Sequence, residues 1–64
     1  MQSKKDYQIG DLWKVNDHIT KEKFLFLVLE VDKNIGIRVT RLDMDRTFII
    51  HNGSRYDERA IKVS

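Results

Sequence analysis

The sequence predicts an all-β domain built from five short antiparallel strands. Three observations predict it. Over residues 35–41 apolar side chains recur with a period of two rather than 3.6, and the apolar run at 24–32 is too short and too uniformly apolar for an amphipathic helix. Turn-forming groups, Asp32-Lys33-Asn34, Leu42-Asp43-Met44-Asp45 and Asn52-Gly53, separate the apolar segments at short intervals. The chain contains no proline, so nothing interrupts a strand from within.

In chain order, Gly10-Asp11 opens the first strand, 12–15, where Leu12, Trp13, Lys14 and Val15 alternate. Residues 16–23 are polar enough for a loop. The second strand, 24–32 (FLFLVLEVD), carries the strongest β signal in the chain. Asp32-Lys33-Asn34 suits a three-residue hairpin loop with Asn34 in the left-handed conformation. Residues 35–41 then alternate as a half-buried strand does. The turn at 42–45 leads to a fourth strand at 46–51 (RTFIIH). Ser54, with Asp57 three positions on, reads as a helix N-cap. That predicts one short helical or 3₁₀ turn over 54–59, before a last strand at 60–63.

Sixty-four residues give one domain, expected over 9–64 behind a flexible polar arm at 1–8. Such a chain buries only about 60% of the surface its unfolded form exposes. With no cysteine there can be no disulfide framework, zinc knuckle or thiol nucleophile. A reducing interior suits the chain, and no run approaches the ~20 apolar residues of a membrane span. The expected location is cytoplasmic, without a membrane partner. Twelve basic residues against ten acidic ones leave a net charge of +2, with the signs interspersed. That charge permits nucleic acid without demanding it.

The hairpin loop sets a register. Val31 would face Ile35, Leu29 would face Ile37 and Leu27 would face Val39, making one aliphatic core face with Trp13, Val15, Phe48, Ile50 and Ile61 as partners. The opposite face of the hairpin would then present Phe24, Phe26, Val28, Arg38 and Thr40. With a tight 42–47 turn, Thr40 would lie beside Ile49 and Arg38 beside His51. Phe24, Phe26, Val28, Arg38, Thr40, Ile49 and His51 therefore form the candidate partner-binding surface, since aromatic residues and Arg concentrate binding energy. A competing reading bends the long strand so that Phe24 and Phe26 turn into the core, or lets the N-terminal arm cover them.

Other residues carry less. Trp13 shares a face with Val15, which favours the core over base stacking. His18 and His51 lack further ligands at metal spacing, and Asp43 with Asp45 sits on a solvated turn. Arg55, Arg59 and Lys62 are interrupted by Asp57 and Glu58. No nucleophile constellation, phosphate-cradling loop or cofactor motif occurs, so no catalytic residue, metal, cofactor or small-molecule substrate is expected.

The order of four strands, one helical turn and a final strand resembles the small SH3-like barrels, in which a short 3₁₀ turn precedes the last strand. Gly10-Asp11-Leu12-Trp13-Lys14-Val15 is also similar to the first strand of KOW-type barrels and of the MazF-like toxin ribonucleases. The latter are considerably longer and place their catalytic residues in segments absent here, so that likeness carries no activity over. A stand-alone barrel rich in Lys, Asp and Ile also looks like small accessory proteins of phages and mobile elements. The resemblance implies a five-stranded antiparallel SH3-like barrel. The leading expectation is a non-catalytic module, such as an effector of a larger host complex, that binds another protein or itself through the outer face of strands two to four. The alternative is an RNA- or DNA-binding barrel, with Lys14, Arg38, Arg41 and Arg46 on phosphates.

Overall fold

A computed structural model of the chain describes residues 5–64. The elements are β1 (Leu12–Asn16), β2 (Lys23–Asp32), β3 (Gly36–Arg41), β4 (Arg46–His51), α1 (Arg55–Arg59) and β5 (Ala60–Lys62). All five strands form one antiparallel sheet in the order β4-β3-β2-β1-β5. The predicted all-β class and strand sequence are present. The sheet is open, because β4 and β5 are its two edges and do not pair. The turn before β5 is α-helical, one of the two forms expected from the residues, whereas the SH3-like resemblance implied 3₁₀; Ser54 caps it by accepting from the Asp57 N–H at 3.4 Å. Among the described residues no helix is long and apolar enough to cross a membrane.

The core face is set by β1. Its alternation turns Trp13 and Val15 inward, and antiparallel pairing places Phe26 opposite Trp13 and Phe24 opposite Val15. Residues paired across a sheet share a face, so the even-numbered residues of β2 go inward with them. Phe24, Phe26 and Val28 are 5%, 0% and 1% exposed. Their expected place on the outer face is thereby overturned, and Leu25, Leu27 and Leu29 look outward or to the rim instead.

Continued alternation would bring Glu30 inward next. The sheet avoids this with a bulge between Val28 and Glu30: Val28 pairs with Val39, whereas Glu30 pairs with Arg38. The extra residue, Leu29, reverses the parity of β2. Glu30 consequently points out to Arg38, with a 2.9 Å ion pair, and Val31 joins the Ile37 side. The expected pairs Val31–Ile35, Leu29–Ile37 and Leu27–Val39 are replaced by Val31–Ile37, Val28–Val39 and Leu27–Thr40.

The turn also differs in detail. Asp32 organises it by accepting from the Asn34 N–H at 2.9 Å, yet Asn34 is not left-handed. The unusual conformation falls to Gly36, with φ +150°, where a Cβ would collide with the Ile50 carbonyl. A side chain there would force β3 away from β4.

The core comprises Tyr7, Trp13, Val15, Phe24, Phe26, Val28, Ile37, Val39, Ile50 and Ala60, with Phe48 and Tyr56 packed against it. Ile61, expected inside, is 55% exposed, because Ala60 is the β5 residue opposite Val15. Of the segment 1–8, expected as a flexible arm, the described part includes a core residue. Residues 1–4 lie outside the described residues, and Tyr7 is buried with its ring centroid 4.5 Å from that of Trp13.

The register makes Phe26→Asp a folding mutation. A domain of this size is stable by on the order of 3–10 kcal/mol, and truncating a buried Phe alone costs about 3–5 kcal/mol. An unpaired carboxylate adds to that. Thermal or urea melts followed by circular dichroism should find Phe26→Asp unfolded at 25 °C. Gly36→Ala should fold but melt at lower temperature.

Candidate outer-face docking site

The outward residues of the sheet form three cross-strand rows. One runs Ile61–Lys14–Leu25, the next Leu12–Leu27–Thr40–Thr47, and the third Glu30–Arg38–Ile49. Two backbone bonds add aliphatic neighbours at the margins. The Val63 N–H donates to the Leu12 carbonyl at 2.8 Å, and the Leu42 N–H to the Leu25 carbonyl at 3.1 Å. Ile61, Val63, Leu42 and Leu25 are 55%, 49%, 54% and 39% exposed, while Leu12 and Leu27 are half-buried. The first two rows and their margins therefore carry six aliphatic side chains around one charge, Lys14, and the second row ends in Thr40 and Thr47. No ion pair ties that ammonium to a described residue.

The sequence-predicted partner residues divide over this geometry. Phe24, Phe26 and Val28 are core. Arg38 and Ile49 are adjacent on the outer face, as cross-strand partners. Thr40 pairs with Thr47, not Ile49, and its hydroxyl donates to the Arg46 carbonyl at 3.3 Å. His51 lies across from Gly36, not Arg38. The β3–β4 register thus sits two residues from the expected one, a shift that leaves faces unchanged.

The alternative set, Lys14, Arg38, Arg41 and Arg46, does not converge. Lys14 and Arg38 stand on different rows of the outer face, and Arg38 is paired with Glu30. Arg41 turns to the other face, with its guanidinium 4.2 Å from the Phe24 ring centroid and a two-pronged bond to Asp43 at 2.9 and 2.7 Å. That bond holds the Asp43 carboxyl below its usual range. Arg46 is the cross-strand partner of Arg41.

Behind the sheet, polar anchors hold the remaining segments in place. Asp57, buried in α1, accepts from the Tyr7 hydroxyl at 2.7 Å and the Gly53 N–H at 2.9 Å, while the Lys5 ammonium donates to its carbonyl. Asp17 is buried at the start of the 17–22 loop and accepts from the Ile19 and Thr20 N–H groups at 2.9 and 3.4 Å, with Arg55 Nε 3.6 Å away. Burial pushes the Asp17 carboxyl up, but the two backbone donors and Arg55 outweigh it and hold it below the ordinary value. Tyr56 donates to Glu22 at 2.6 Å and stands edge-on to Phe24 and Phe48.

The aliphatic outer rows and the Tyr56–Glu22 contact were not anticipated from sequence. Pairing β1 with β2, in place of reading β2 from its hairpin alone, would have revealed the first. Nothing local signals the second, which joins residues 34 positions apart. No protein-family model, curated protein or solved structure matches the chain.

Both tyrosines of the chain are held neutral. Burial, then the bond to Asp57, pushes Tyr7 up; the bond to Glu22, then burial, pushes Tyr56 up. Each folded pKa lies above the unfolded value of about 10. Their stabilisation is therefore complete below about pH 10 and lost as pH rises beyond it. Chemical denaturation across that range should show Tyr7→Phe weakening the alkaline loss of stability, and Tyr7→Phe with Tyr56→Phe removing most of it.

Proposed function

We propose that the chain is a non-catalytic protein-binding module of small SH3-like design, docking on another protein through the outer face of its sheet. The strand order and the helical turn immediately before β5 support the architectural reading. The observation that carries the functional one is the aliphatic double row centred on Leu25 and Leu27. Contiguous apolar surface of a few hundred Å² usually marks contact, and these side chains add little to the core beneath them.

The chain's two larger extents are 27 and 23 Å, so the whole face is comparable with the roughly 800 Å² each partner contributes to a standard interface. Docking therefore engages the face broadly. Burying the leucines contributes about 25 cal/mol per Å², before association costs. Lys14 would lose water on docking, so a fitting partner brings apolar surface together with one carboxylate. A second copy related by a twofold would present another Lys14, which makes self-association the poorer fit.

Leu25→Asp and Leu27→Asp test the site. Being at the surface or the rim, Leu25 should tolerate the change with about 1 kcal/mol or less lost from the fold. Capture experiments from the native host should retain a partner with the wild-type chain, after nuclease treatment and at raised salt, and lose it with either variant. Capture that nuclease abolishes, or that both variants preserve, would exclude the reading.

A further inference from the structure

The two edges of the sheet are not equivalent. β5 has three residues and carries Lys62, which lies 3.7 Å from Asp11. β4 has six, and its middle, Thr47-Phe48-Ile49-Ile50, carries no charge. Proteins commonly blunt open edges with lysine, proline, bulges or short strands. β4 shows none of these.

The phase of pairing shows which backbone groups this edge offers. The Asn52 N–H donates to the Ile35 carbonyl at 2.9 Å, so even-numbered residues of this segment turn their backbone groups toward β3. Thr47, Ile49 and His51 turn theirs away. The His51 carbonyl accepts from the Ser54 N–H at 3.1 Å. The N–H and C=O of Thr47 and Ile49 meet no partner among the described residues.

Beyond that edge lies a shallow, open groove. Two hollows, about 420 and 480 Å³, adjoin at Glu22 and Tyr56. Thr47 and Phe48 line one, Ile49 and His51 the other. Thr20, Glu22, Arg55 and Tyr56 stand opposite. The far wall is fixed by the Tyr56–Glu22 bond and by the edge-on contact of Tyr56 with Phe48, centroids 6.2 Å apart. Arg46 lines the groove and makes no ion pair with a described residue, since its cross-strand neighbour Arg41 already holds Asp43.

We infer that the β4 edge receives an extended segment of a partner protein as an added antiparallel strand. Main-chain bonds to Thr47 and Ile49 give the pairing, an apolar side chain of the segment fills the hollow beside Phe48 and Tyr56, and a carboxylate meets Arg46. A second β4 paired about a twofold through Ile49 would set Arg46 opposite Asn52 of the other copy, which has no carboxylate to offer. This edge borders the outer face at Thr47 and Ile49, but it offers their main chain in place of the outer leucines and stands whether or not the outer face docks.

A displayed library of random peptides, selected against the folded chain, supplies the probe. The bound sequences should be β-formers free of proline, carrying an acid that changes to a base when selection is repeated on Arg46→Glu. On binding, amide exchange at Thr47 and Ile49 should slow. The chain is short enough for total synthesis with the α-hydroxy analogue of isoleucine at position 49, which turns that N–H into an ester oxygen and keeps every side chain. Affinity for the selected peptide should then fall about tenfold, the worth of one such bond, whereas Leu25→Asp should bind it unchanged. Failure to select any peptide, an ester chain that binds as tightly as the amide, unaltered exchange at Thr47 and Ile49, or occupation of the edge by a second copy would overturn the inference.

Discussion

An inward Glu30 would take a carboxylate away from Arg38, its ion-pair partner at 2.9 Å, and turn it toward the side of Val28 and Ile37. Isolated buried charge costs several kcal/mol even after relaxation, a large share of what a domain of this size has in total. The bulge at Leu29 removes that cost by one inserted residue. It lets β2 serve two requirements that a regular strand could not meet together: Phe24 and Phe26 facing Trp13 and Val15 at one end, and Val31 on the Ile37 side at the other. The local bend also increases twist, which helps a single sheet wrap its aromatic residues.

That wrapping leaves gaps which packing alone does not close in so short a chain, and buried acids close them. Asp57 ties the segment before β1 to α1 through Tyr7, and Asp17 folds the 17–22 loop onto its own backbone donors. Asp57 accepts from the neutral Tyr7 hydroxyl and Gly53 N–H, whereas Asp17 adds to its two backbone donors an ion pair with Arg55 at 3.6 Å. Tyr56 and Glu22 extend the scheme across 34 residues of sequence. The consequence is a wall facing β4, built by Thr20, Glu22, Arg55 and Tyr56 and held by that bond.

Much of this was legible in the sequence. Alternation in Leu12–Asn16 and Gly36–Arg41 placed Trp13, Val15, Ile37 and Val39 inside, Asp32 announced its turn, and Ser54 announced the cap of α1. The faces of β2 were not legible from β2 alone. Phe24, Leu25, Phe26, Leu27, Val28 and Leu29 are apolar at both parities, so period-two reasoning has nothing to choose between until a partner strand is named. Reading from the hairpin end put Val31 on the Ile37 side, where it is nevertheless 40% exposed, and gave the wrong parity beyond the bulge. Tyr7 was missed because its neighbours Asp6 and Gln8 are polar, and its anchor, Asp57, lies 50 positions away.

The same ambiguity bears on function. A strand apolar on both sides is expected where both sides are covered, and here only one is covered by the chain itself. The inner aromatics account for the fold. The outer leucines do not, since polar residues at Leu25 or Leu27 would leave the pairing of β2 with β1 and β3 intact and would improve solubility. Their presence leaves β2 apolar on a side that no other described element covers. The uncharged middle of β4 presents the same imbalance along the sheet's plane, with backbone groups of Thr47 and Ile49 that no described residue meets. On the proposed reading another protein would answer both, its apolar side chains covering the outer leucines and its extended main chain pairing with β4.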